Sequence, residues 1–156
     1  MRIIRKEPQI PFTKDGYQKL LDEKTKLASE RPDAVENLRK SREMGDLSEN
    51  GYYKASRARL SFLDSRIRRV ERLIRLGRIV QSTNSGVVEI GSHVTISDGK
   101  KEFTYTIVGG YESDPSQKTI SYISPIGRAL VGKNEHASVE VTIPSGTARY
   151  TILKIE

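Results

Sequence analysis

Two carboxylates stand three residues apart in the stretch EMGDLSENGYY, Glu43 to Tyr53: Asp46 and Glu49. At the start of a helix that spacing puts both side chains on nearly one face, so they can enter one narrow space together. Two kinds of chemistry fit the pair. In one, Asp46 accepts from the free backbone N–H groups of the next turn and Glu49 reaches back, a capping box with Asp in place of the usual Ser or Thr. In the other the pair holds a divalent cation. Mg2+ takes about six oxygens in octahedral array, usually only one or two of them from protein carboxylates. The pair is therefore half a site at most, and metal chemistry here requires another macromolecule to supply the rest.

The elements that carry the pair are legible from apolar spacing. Thr13 is a candidate cap with Asp15 in the first turn, and Tyr17, Leu20, Lys24 and Leu27 follow at helical intervals, resumed by Val35 and Leu38. Pro32 predicts a kink or short break in this helix, because its ring crowds the preceding residue and removes a backbone donor. Beyond the acids, Tyr53, Ser56, Leu60, Leu63, Ile67, Val70 and Ile74 step by alternating threes and fours, a heptad seam that Gly77 brings to a stop. Two such segments joined by a few residues must lie antiparallel, each on the order of 45 Å long at about 1.5 Å per residue. The bend, Met44 to Ser48, then stands at the end of a rod.

The period changes after Gln81. STNSG reads as a linker, followed by short β-rich runs at 94–96, 103–108, 120–123, 138–143 and 149–154, separated by the turns SDGKK, GGYESDPSQK and PSGTA. SPIGRALVGK predicts a short helix under the sheet. The expected fold is α+β: an antiparallel coiled-coil hairpin over 1–80, a linker at 81–85, and an antiparallel β-sheet domain with a short helix over 86–156.

Composition narrows the partners. The 156 residues carry 27 Lys and Arg against 20 Asp and Glu, a net charge of +7, which favours acidic partners such as nucleic acid. Nine basic and three acidic residues between Glu49 and Arg78 concentrate most of that excess on the second helix. At 100° per residue Arg57, Arg68, Arg72 and Arg75 share a stripe beside the apolar seam that can track phosphates. The competing reading is a solvated face, partly paired across the hairpin with Asp22, Glu23, Glu30 or Glu36. Cysteine is absent, which excludes disulfides and thiolate metal sites, and His93 and His136 have no neighbouring ligands at metal spacing. MRIIRKEPQIPFT lacks a signal-peptide core and no window has the roughly 18 apolar residues of a span, so a cytoplasmic protein without membrane contact is expected.

GDLSEN followed by YY, preceded by PFTKDGYQKLLDE and followed by SPIGRALVGK and IPSGTARYTILKIE, resembles the Gre family of bacterial transcript cleavage factors, GreA and GreB. The resemblance runs in order from Pro11 to the C-terminus. It implies a coiled coil followed by a domain similar to the FK506-binding protein fold, in a monomer whose partners are bacterial RNA polymerase and the nascent RNA 3′ end. It further implies that the globular domain docks at the rim of the polymerase secondary channel while the tip reaches the active centre. There the tip acids help hold a second Mg2+ and orient a water, and the polymerase cleaves its own backtracked RNA; the factor itself is no enzyme. Such two-metal hydrolysis clamps the attacking and leaving oxygens, which suits a donated half-site. Carried over, Asp46 and Glu49 match the family's acids and its shared Mg2+ ligands, with Gly45 and Leu47 shaping the turn and Ser48 and Asn50 just behind it. Tyr53 matches the aromatic past the tip, for contact with RNA or for seam packing, and Ser124, Pro125, Ile126 and Arg128 match a docking motif or simply start and pack the short helix.

This chain departs from the family's ENAEY, reading ENGYY: Tyr52 replaces an acid, and Gly51 loosens the first turn by up to roughly 1 kcal/mol relative to Ala. The arginine-rich second helix leans toward GreB, the tip and SPIGRALVGK toward GreA. Three rivals stand beside this reading. An inhibitory channel-binding relative carries additional tip acids, where this chain has Leu47 and Ser48. A prolyl isomerase needs an aromatic pocket from Phe103, Tyr105, Tyr111, Tyr122 and Tyr150. A free RNA-binding hairpin depends on the arginine stripe and is indifferent to Asp46.

Overall fold

A computed structural model of the chain describes residues 8–45 and 49–156. Strand β1 (Ile10–Phe12) leads into helix α1 (Lys14–Arg42), and α2 (Gly51–Leu76) runs into β2 (Gly77–Ile79). The Thr13 hydroxyl accepts from Gly16 N at 3.1 Å, capping α1 as its sequence predicts.

The expected break at Pro32 is absent: α1 is one helix of 29 residues with Pro32 inside it. The proline forfeits one backbone bond, and contacts on both sides hold the helix through it. Glu30 and Arg31 pair across to Arg59 and Asp64 at 2.5 and 2.7 Å, and Ala34, one turn on, is buried in the seam. The seam itself is Leu27, Ala34, Leu63 and Val70, flanked by half-buried Leu20, Leu60, Ile67 and Ile74. Val35 does not belong to it and is 41% exposed, because the helical phase presents Ala34 instead and lets the helices close in over a methyl group. The pairs Glu23–Arg66 at 2.5 Å and Lys24–Glu71 at 3.2 Å continue the same antiparallel register.

The remaining strands are β3 (His93–Ser97), β4 (Glu102–Val108), β5 (Thr119–Ser121), β6 (Ser138–Ile143) and β7 (Gly146–Ile155), with a 3-10 turn at Pro115–Gln117 and helix α3 (Pro125–Leu130). They form one sheet in the order β5-β4-β3-β7-β6. Every pairing is antiparallel except β4 with β5, so the sheet is mixed rather than purely antiparallel. A parallel neighbour needs a crossover, and the segment 109–118 with its 3-10 turn supplies one in place of a hairpin. Alternate residues Val94, Ile96, Ile107, Val139 and Ile152 bury one face, and Leu130 of α3 closes the core with Val88. The third predicted run ends early, at Ser121, and Ile123 is 52% exposed.

One element is unforeseen: β1 and β2 pair in parallel, Ile10 with Gly77 through Phe12 with Ile79. By contacts the chain forms two units, Gln18–Leu76 and the remainder, so the start of α1 and β2 belong with the sheet rather than with the hairpin as the boundary at 80 supposed. The Glu112 carboxylate makes the connection. It accepts from Thr13 N at 3.1 Å, from the Thr13 hydroxyl, and from Gly109 N at 2.6 Å. A Cβ on Gly109 would stand 2.3 Å from both Glu112 and Pro11 O, so glycine is required there. Buried Phe12 packs edge-on to Tyr17 and stacks with Tyr111, each at 6.3 Å. The 81–85 segment is also tied down, since Glu89 accepts from Thr83 N at 2.8 Å and from the Thr83 and Ser85 hydroxyls. Among the described residues no helix is long and apolar enough to cross a membrane.

Candidate functional site at the hairpin tip

The end of α1 is drawn tight. Glu43 N donates to Lys40 O at 3.1 Å and Met44 N to Ser41 O at 3.4 Å, and Gly45 turns the chain at φ 111°, a conformation that favours glycine. Arg39 holds both Glu36 and Glu43 at 2.9 and 2.5 Å, and its hydrogen bond keeps the Glu36 carboxyl below the ordinary glutamate range. Asp46, Leu47 and Ser48 lie outside the described residues, so Asp46 is placed by sequence alone.

Glu49 sits in the turn ahead of α2, exposed. The capping reading needs correction here. Helix α2 starts at Gly51, and its cap is Asn50, whose Oδ1 accepts from Tyr53 N at 3.0 Å. Glu49 precedes the cap, outside the third helical position from which a capping box reaches back. Its carboxylate makes no hydrogen bond with any described residue. Asn50 Nδ2 also donates to Ser41 O at 2.8 Å, joining the two helices directly below the tip. Tyr52 adds a second brace, its hydroxyl donating to Asn37 Oδ1 at 3.3 Å. Tyr53 is half-buried at its heptad position. Sequence reasoning missed Asn50 as the cap because Asp46 has equal propensity and a matching Glu49; the tie to Ser41 has no local sequence signal.

The arginines divide into two sets. Arg31, Arg59 and Arg66 pair across the hairpin with Asp64, Glu30 and Glu23, which accounts for two of the four acids expected to neutralise the stripe. Glu36 instead pairs along its own helix with Arg39 and Lys40, and Asp22 accepts from Gln18. Arg57, Arg68, Arg72 and Arg75 are all exposed. Arg68 helps lower the Asp64 carboxyl behind the larger effect of Arg31, while Arg57 and Arg72 form no ion pair among the described residues. Among the described residues, Arg57 and Arg72 of the stripe are thus not consumed by ion pairs.

In the sheet unit the motif Ser124, Pro125, Ile126 and Arg128 splits by role. Ser124 caps α3, accepting from Gly127 N at 3.0 Å, with Pro125 in the first turn. Ile126 packs on the core. Gly127 is obligatory, because a Cβ there would lie 2.1 Å from Ser121 O. Pro125 and Arg128 remain exposed. Beside them an apolar cavity of about 470 Å³ is lined by Tyr105, Pro115, Ile120, Pro125, Ile126 and Ile143 among others. Of the five aromatics available for a proline pocket only Tyr105 lines it, stacked on Phe103 at 6.3 Å.

Among the described residues no three His, Cys, Asp or Glu side chains converge into a ligand set. Glu49 and, three residues before it in sequence, Asp46 amount to two carboxylates, fewer than the about six oxygens that Mg2+ takes.

A long helical hairpin with an exposed acid at its bend and a small mixed-sheet unit with a short helix define a two-part chain. The chain matches the family model "Transcription elongation factor, N-terminal" over residues 10–79 and "Transcription elongation factor, GreA/GreB, C-term" over residues 82–156. It is 40% identical to transcription elongation factor GreA of Ruegeria pomeroyi, covering 95% of this chain and 97% of that relative. It is 38% identical to transcription elongation factor GreA of Paracoccus denitrificans, covering 94% and 97%. GreA factor homolog 1 of Thermus thermophilus, a solved structure, is 21% identical with a TM-score of 0.45, over 95% of this chain and 99% of that one. The chain belongs to the GreA/GreB family of transcription elongation factors.

Proposed function

We propose that this chain inserts its hairpin into the secondary channel of bacterial RNA polymerase and stimulates the polymerase's own Mg2+-dependent cleavage of backtracked RNA. Asp46 and Glu49 lend oxygens to a Mg2+ ion completed by the polymerase and RNA, and the ion polarises and orients the attacking water. The rest of the chain positions. Gly45 and Asn50 shape the tip together with Leu47 and Ser48, and Tyr53 stiffens the first turn of α2. Arg57, Arg68, Arg72 and Arg75 face the RNA or the channel wall, while Ser124, Pro125, Ile126 and Arg128 present the docking surface.

The observation that carries this reading is Glu49: an exposed carboxylate ahead of the helix cap, beside Asn50, whose amide ties the start of α2 to the end of α1. Exposed acids on an ordinary helix face have no need of such bracing. The test is release of short 3′ RNA from stalled, backtracked polymerase on adding the protein with Mg2+. Wild-type chain is expected to accelerate release, and Asp46→Ala or Glu49→Ala to abolish the acceleration while still competing with wild-type chain for polymerase. Undiminished stimulation by the double variant would overturn the metal role. Inhibition of RNA synthesis without cleavage would favour an inhibitory regulator instead.

A further inference from the structure

Asn50 uses both ends of one amide. Oδ1 accepts from Tyr53 N at 3.0 Å and caps α2, while Nδ2 donates to Ser41 O at 2.8 Å in the last turn of α1. A flipped amide would set donor against donor and acceptor against acceptor, so the two partners fix its orientation. The receiving end is rigid. Ser41 is fully buried and its hydroxyl donates to Leu38 O at 2.8 Å. Ser, Thr and Asp cap helices about as well as Asn, but Asp has no donor, and Ser or Thr has one oxygen on a shorter stem where the amide divides two atoms between the partners. Capping alone does not explain an amide here.

We propose that Asn50 is a positioning residue for the Glu49 carboxylate. Its bond to Ser41 ties the start of α2 to the last turn of α1 and fixes the backbone next to Glu49. Without that bond α2 keeps its cap, yet the turn gains a hinge at its foot, and the carboxylate spreads over positions that no longer meet the ion. A misplacement of about 1 Å at a reacting centre costs up to roughly 100-fold in rate. The inference rests on the reading of Glu49 as a donated metal ligand.

The test uses the full chain with backtracked polymerase and compares Asn50→Ser, Asn50→Asp and Asn50→Ala with Glu49→Ala. Asn50→Ser and Asn50→Asp retain the cap and are expected to melt like wild type by far-ultraviolet circular dichroism. Their stimulated cleavage is expected to fall about tenfold at limiting Mg2+. The Mg2+ concentration for half-maximal rate should rise and added Mg2+ should restore part of the loss, with the factor concentration at half-saturation unchanged. Wild-type rates and Mg2+ dependence in both variants, with only Asn50→Ala impaired, would reduce Asn50 to a cap and overturn the inference. A change confined to factor affinity would overturn it too. The two readings fail separately: full stimulation by Glu49→Ala sinks the metal role itself, whereas an inactive Glu49→Ala beside a wild-type Asn50→Ser removes only the role of Asn50.

Discussion

Glu89 shows how a single carboxylate orders a segment that composition marks as flexible. The backbone N–H of Thr83 is the main cause of its lowered pKa, followed by the Thr83 hydroxyl, with Ser85 adding a smaller effect. The folded chain therefore takes up this proton less readily than the unfolded chain. The stability it contributes is complete above the ordinary glutamate pKa and is lost as pH falls through the lowered folded value. In wild-type chain the Thr83 amide resonance should titrate with that lowered midpoint, and Glu89→Gln should abolish the titration and speed amide exchange at Thr83. A Thr83 resonance that ignores pH in the acid range would remove Glu89 as its anchor. STNSG conceals this tie because small polar residues read as linker wherever they occur, and the acid that binds them comes later in the chain, in a run of valines and isoleucine. The tip obeys the same logic. The sequence marks Glu49 as an acid beside the bend, and the structure shows it exposed, while local propensity puts the cap at Asp46 because two residues of equal capping propensity stand within about one turn of each other. Only the helix start at Gly51 separates them.

Elements were legible where a period persisted. Seven seam positions of α2 stepping in threes and fours announced the hairpin, and six of them, Ser56 and Leu60 through Ile74, are buried or pack on the buried seam. The strands β3, β4, β6 and β7 alternate clearly enough to be read directly. The parallel pair β1 and β2 was not, since three residues of each carry no period and include Pro11 and Gly77, and their pairing spans the whole hairpin in sequence. The continuity of α1 through Pro32 was hidden for a related reason: tertiary contacts from α2 outweigh one lost backbone bond. The hairpin's cohesion depends on a thin seam, so Leu63, 1% exposed at its middle, has little around it to collapse into a void. Leu63→Ala is expected to cost roughly 2–5 kcal/mol. The loss should fall on the hairpin, lowering the thermal midpoint of helical circular dichroism more than that of the tyrosine near-ultraviolet signal, which comes largely from the sheet unit. Equal shifts in both signals would mean that the two units unfold as one.

The charge of the whole molecule is arranged rather than merely large. Of the 27 Lys and Arg, the cross-hairpin pairs neutralise Arg31, Arg59, Arg66 and Lys24 locally. Each such pair is exposed and screened by solvent, so their main effect is to fix register. Among the described residues Arg57 and Arg72 are left without ion pairs, and unpaired charge is what a phosphate backbone recruits. Each phosphate neutralised on a single strand steepens the dependence of log affinity on log salt by about 0.7. If the stripe meets RNA in the polymerase channel, Arg57→Ala with Arg72→Ala should raise the factor concentration needed for half-maximal cleavage at low salt. It should also flatten the salt dependence by a little over one unit of slope. Arg59→Ala with Arg66→Ala removes the same formal charge from the same helix, but those side chains already hold Glu30 and Glu23, which the substitution leaves unpaired. That variant should soften the hairpin's thermal transition and keep the wild-type salt slope. Identical slopes for the two double variants would show that net charge alone draws the hairpin to its partner, and that the division of the arginines serves folding only.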